Sequence, residues 1–238
     1  MSAGSNATHD ATAILDRLRA LESPKDREGM ARFGITTDKA FGVSLYVLRD
    51  IAKEIGTNHE LALALWATGY HEAQLLAGII DDPKQATSEQ LDDWVAEFDS
   101  WDICDQACSN LFDKTPFAYE KAFQWVEDER EFVRRSGFVM MAALAVHDKQ
   151  AGDEKFEQFF PVMKKYATDD RNFVRKAVNW ALRNIGKRNL TLNVRAIEVA
   201  EEIKAINTKS ARWIASDALR ELKGEKVQAR LLAKSKKK

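Results

Sequence analysis

The sequence predicts an all-α protein, a right-handed α-solenoid of paired helices with one extended concave face. Three observations carry that expectation. Apolar residues recur at spacings of three and four, while alternating β-branched runs are almost absent. Helix start and stop residues stand where those periodic stretches begin and end. A segment near residue 130 is repeated about 40 residues later.

Along the chain, Leu61, Leu65 and Thr68 follow a helical face. Thr87 with Gln90 resembles a capping box, in which the hydroxyl accepts from the third helical N–H. Thr115-Pro116 reads as an N-cap followed by proline at the first helical position, where a missing N–H costs nothing. Val174, Ala177, Val178, Ala181 and Leu182 form another apolar stripe, and Gly186 sits where that helix would stop. Roughly a dozen helices of ordinary length, joined by short connections, account for the chain.

The repeat is specific. Asp128-Glu129-Arg130-Glu131-Phe132-Val133-Arg134-Arg135 returns as Asp169-Asp170-Arg171-Asn172-Phe173-Val174-Arg175-Lys176, at an offset of 41 residues. A degraded third copy falls at Arg212-Trp213-Ile214. A period near 40 in a helical chain is the signature of solenoids of the HEAT or armadillo kind, whose helix pairs bury their apolar faces only by stacking. No linker interrupts the pattern. Residues 1–238 therefore read as a single domain, with 1–20 and 227–238 frayed.

Composition limits the function classes. The 238 residues are 45% hydrophobic and 31% charged, which disordered chains are not. No apolar run approaches the roughly 20 residues of a membrane span, and the first ten residues have neither the basic start nor the apolar stretch of a secretory signal. Two cysteines four apart on a helix make no disulfide framework, so a reducing, cytoplasmic location fits.

The net charge of −1 conceals a strong asymmetry. Residues 171–238 hold 18 Lys or Arg against six Asp or Glu, a net of +12, and the remaining 170 residues carry a net of −13. A basic third ending in Lys234, Lys236, Lys237 and Lys238 is the electrostatic footprint of a protein that meets a phosphate backbone. A basic tail alone is equally a solubilising device. The interior cluster Arg171, Arg175, Lys176, Arg183, Lys187 and Arg188 speaks more clearly for nucleic acid, since several of these lie three or four apart on one helix face.

No glycine-rich phosphate loop, nucleophile elbow or zinc-protease motif is present. His9, His59, His71 and His147 are dispersed, and Cys104 with Cys108 read as a buried apolar pair. Ser100-Trp101-Asp102-Ile103-Cys104-Asp105 differs, because a helix places the Trp101 indole and the Asp105 carboxylate on one face. Trp180 lies in the basic third, where a later repeat would present it to the same concave face. From spacing alone, core packing for the tryptophans and an ion-pairing role for Asp105 remain open.

At these residues the sequence resembles the AlkD family of DNA alkylation repair glycosylases, built from HEAT-like repeats. The resemblance runs from about Phe41 to Leu222. It is carried by Phe41-Gly42-Val43-Ser44 with Leu48-Arg49, by Trp101 to Asp105, by Phe132-Val133-Arg134-Arg135, and by Phe173 through Trp180. It implies removal of positively charged N-alkylated purines, such as 3-methyladenine and 7-methylguanine, from duplex DNA. By the same resemblance Asp105 matches the catalytic carboxylate, and Trp101 and Trp180 match aromatics flanking the lesion. Arg135 matches a phosphate-binding arginine, with Arg134 the alternative one register away. Arg175, Lys176, Arg183, Lys187 and Arg188 complete the expected DNA-binding set.

The chemistry suits those residue types. A cationic purine already leaves readily and needs no general acid. The site must instead stabilise an oxocarbenium-like sugar and hold a water for attack at C1′, which one carboxylate and electron-rich indole faces can do. The expectation is therefore a monofunctional DNA glycosylase without metal or cofactor, a monomer, cytoplasmic and associated with the nucleoid. A non-catalytic binder of DNA structures on the same scaffold is the alternative, and a protein-interaction scaffold the third class.

Overall fold

A computed structural model describes residues 3–236, with side chains from Ala11 onward; Lys237 and Lys238 of the basic tail lie outside the described residues. Every element among them is helical. Where the sequence reads as one continuous domain, the chain gathers into two compact units that meet in sequence between Phe117 and Ala118.

The first unit holds α1 (Ala3–Ala20), α2 (Pro24–Arg32), α3 (Leu45–Ile55), α4 (His59–Trp66), α5 (His71–Ile80), α6 (Ser88–Ala96), α7 (Trp101–Asn110) and a 3-10 turn at Phe112–Lys114. Its core is aliphatic around Leu48, Ile51, Leu65 and Leu76, and aromatic where Trp66 stacks on Trp94 at 3.9 Å and Phe112 closes the cluster. Cys104 and Cys108 are buried, the packed apolar pair that their spacing suggests. Thr87 accepts from the Gln90 N–H at 3.1 Å, so that cap forms as the sequence indicates.

The second unit holds α8 (Ala118–Val126), α9 (Glu131–His147), α10 (Asp153–Glu157), α11 (Phe159–Tyr166), α12 (Asn172–Gly186), α13 (Leu190–Ile206), α14 (Lys209–Leu222) and α15 (Glu225–Ser235). Helix α9 packs on α8 and α12, and α12 packs on α13 and α14, so successive repeats stack as the 41-residue period requires. The two clear copies enter their helices alike. Arg130 and Arg171 are the N-cap residues, and Asp128 and Asp169 each accept the N–H of the arginine two residues on. Gly186 is the last residue of α12, and the packing leaves no space for a side chain there: a Cβ would lie 2.7 Å from Leu222 Cδ2 and 2.8 Å from Ala196 Cβ.

One local expectation is corrected. Thr115 does not cap α8, which begins at Ala118; its hydroxyl turns back to donate to the Phe112 carbonyl at 2.8 Å. Buried Ala11 and Leu18 anchor α1, and buried Leu231 anchors α15.

Candidate active site

Helix α7 is amphipathic in a way that sorts its residues by task. Ile103, Cys104, Ala107 and Cys108 face the core, and Trp101, Asp102 and Asp105 are left half-buried on the other side. Four residues apart, Trp101 and Asp105 share that side. The Trp101 indole N–H donates to the Phe33 carbonyl at 3.1 Å, which fixes the half-buried ring. Phe33 itself is exposed, at the end of α2, a helix with no buried residue.

The turn that bears Trp101 is held from the side. His71 Nε2 lies 2.9 Å from Asp102 Oδ2, and Thr36 donates its hydroxyl to the Asp99 carbonyl at 3.3 Å. Beside His71, the buried Glu72 carboxylate accepts three consecutive backbone N–H groups, from Phe41 at 2.9 Å, Gly42 at 2.7 Å and Val43 at 3.1 Å. Gly42 takes φ +80°, a left-handed conformation that glycine adopts without strain. In the sequence Phe41 to Val43 stand out only through the family resemblance, and Glu72 does not stand out at all. No local signal marks a carboxylate whose partners lie about 30 residues upstream.

In the second unit Trp180 is half-buried on α12, and its neighbour Asn179 is buried and donates to the Ile214 carbonyl at 3.0 Å. The arginines expected to reach phosphate have partners within the unit. Arg135 is buried; its guanidinium donates to the Phe173 carbonyl at 2.7 Å and lies over the Phe173 ring. Arg134 pairs with Asp169 at 2.9 Å, donates to the Val126 carbonyl at 3.0 Å and covers the Tyr166 ring at 4.6 Å. Arg175 donates to Asn172 at 3.2 Å and lies 5.2 Å from the centre of the Trp213 ring.

Further along, Arg183 and Lys187 converge on Glu221, at 2.5 and 2.7 Å. Arg188 donates to the Ala145 and Ala151 carbonyls and stacks on Phe156 at 3.8 Å, and burial pulls its guanidinium below the usual arginine value. Lys176 is exposed. The helical spacing of these cations thus places several of them against the adjacent repeat, and Lys176 toward solvent.

This helical repeat chain with a half-buried Trp–Asp face has the fold of the HEAT-like repeat DNA glycosylases. A solved structure from "a new family of proteins related to the HEAT-like repeat DNA glycosylases with affinity for branched DNA structures" superposes with a TM-score of 0.73, covering 88% of this chain and 94% of the other at 22% identity. Residues 14–222 match the profile of the family described as DNA alkylation repair enzyme, and the chain belongs to that family. No curated protein matches it in sequence. No helix among the described residues is long and apolar enough to cross a membrane.

Proposed function

We propose that this protein is a monofunctional DNA glycosylase that releases positively charged N-alkylated purines, 3-methyladenine and 7-methylguanine, from duplex DNA. The observation that carries the reading is the pairing of Trp101 and Asp105 on the half-buried side of α7, in a chain of the DNA alkylation repair enzyme family. Asp105 supplies the negative charge that opposes the growing oxocarbenium and holds the attacking water. Trp101 offers an indole face to that positive charge, and Trp180, in the second unit, keeps the aromatic role that the resemblance implies. No cofactor is needed, because the lesion's own charge makes the base a good leaving group. Arg134, Arg135, Arg175, Lys176, Arg183, Lys187 and Arg188 are the proposed DNA-binding set, with Lys176 the exposed member and the arginines doubling as ties between repeats. The protein acts as a monomer on cytoplasmic, nucleoid-associated DNA.

A second reading has an observation of its own. The structural neighbour is described by its affinity for branched DNA, which suits a non-catalytic binder on the same scaffold. Release of 7-methylguanine from methylated duplex DNA decides between the two. Free base released by the purified protein supports the glycosylase, and binding without release supports the binder.

A further inference from the structure

The first turn of α7 carries the proposed catalytic pair, but it lacks the usual anchor. Ser100 is its N-cap, yet makes no side-chain cap bond, and its hydroxyl is buried without a hydrogen-bond partner among the described residues. The turn is held laterally, and its buried, charged tie is His71 to Asp102. The second oxygen of Asp102 is buried with no partner among the described residues, so that carboxylate depends heavily on the imidazole. His71 is itself fixed. It opens α5, its backbone N–H donates to the Lys39 carbonyl at 2.8 Å, and its side chain is 5% exposed. Helices α5 and α7 are in ordinary packing contact where Gly78 meets Ala107, a Cβ there lying 3.4 Å from Ala107 Cα.

The charged groups that face the ring are Asp102 and Asp99, on α7 and the turn ahead of it, and Glu72 on its own helix. The loop that crosses the start of α5 brings Lys39, whose ammonium sits beside Gly69. Burial acts to lower the imidazole pKa, but the Asp102 hydrogen bond and the charges of Asp102, Glu72 and Asp99 outweigh it, and His71 stands above the usual histidine value. Its folded value exceeds its unfolded one. The anchoring is therefore complete below the unfolded value and is lost as pH rises through the folded one.

We propose that His71 is a positioning residue of the Trp101–Asp105 site. As a cation it holds Asp102, and through Asp102 it sets the first turn of α7 so that indole and carboxylate are presented together. When His71 loses its proton, Asp102 faces a neutral ring, and the turn loosens. What that turn is used for rests on the glycosylase reading; that His71 sets it does not.

The test follows the Trp101 indole N–H resonance by NMR, assigned with Trp101→Phe, between about pH 5 and about pH 9. In the wild-type protein the resonance shifts with a midpoint above the ordinary histidine value. In His71→Gln that titration is lost, and in His71→Arg, a permanent cation, the resonance keeps its low-pH position throughout. A wild-type indole that does not titrate in this range overturns the proposal without need of any variant, as does a titration that survives in His71→Gln. Base release from methylated duplex DNA, measured in parallel, falls on the alkaline side in the wild type and is flattened by His71→Arg. If the indole titrates as described but no base is released at any pH, the glycosylase reading fails and the positioning role of His71 stands.

Discussion

Arg134 closes a 2.9 Å ion pair on Asp169, the residue that occupies in the next repeat the position Asp128 holds in its own. Asp169 also receives the Arg171 guanidinium and backbone N–H, and its carbonyl accepts from the Ser210 hydroxyl at 2.7 Å, so one residue joins three successive repeats. Burial acts to raise the Asp169 pKa, but the bonds from Arg171 and Arg134 outweigh it and hold the carboxyl below the usual range.

That carboxylate contributes stability above its unfolded pKa, and the contribution is lost as pH falls through the lower folded value. Urea unfolding should show Asp169→Ala less stable by about 3–5 kcal/mol near neutral pH, as for a largely buried pair broken from one side, with the difference shrinking in acid. The exposed pair of Lys165 with Glu127, 2.6 Å apart, is the control: removing Lys165 should leave the unfolding curve nearly unchanged.

Arg135 and Lys176 should separate stability from DNA affinity. Arg135→Ala leaves the Phe173 carbonyl without its charged donor and opens space over the ring, so a loss of about 1.5–3 kcal/mol in unfolding free energy is expected. Lys176→Ala leaves stability unchanged and lowers the salt dependence of duplex binding by about one contact. Binding isotherms across a salt series, set beside denaturation of both variants, check the two together.

Gly186→Ala tests the close packing of the second unit. The added methyl meets Leu222 and Ala196, and only the former has side-chain torsions with which to yield. A loss of about 1–3 kcal/mol is expected, read as a lower midpoint at unchanged denaturant slope.

These features differ in how far the sequence reveals them. The helix entries at Asp128 and Asp169 are legible because the bond that shapes each spans two residues, and the Thr87 cap because it spans three. Thr115-Pro116 misleads, since the hydroxyl has a nearer acceptor in the 3-10 turn before it. The amphipathic sorting of Trp101 and Asp105 is legible from a spacing of four. What anchors it is not, because His71 and Asp102 are 31 residues apart and meet only through the packing of α5 on α7. The partners of the basic residues are hidden for a related reason. Helical periodicity says which side of α12 an arginine occupies, but the carbonyls and carboxylates waiting there belong to helices up to 43 residues away.

Replacing Asp105 by asparagine tests the central claim most directly, since it keeps size and shape and removes the charge. Release of 7-methylguanine from methylated duplex DNA is measured for both proteins, with duplex affinity in parallel. The account predicts that Asp105→Asn lowers release by about two or more orders of magnitude, as expected for loss of a preorganised charge that acts in the transition state, while affinity holds or rises. Equal release by the two proteins would contradict it.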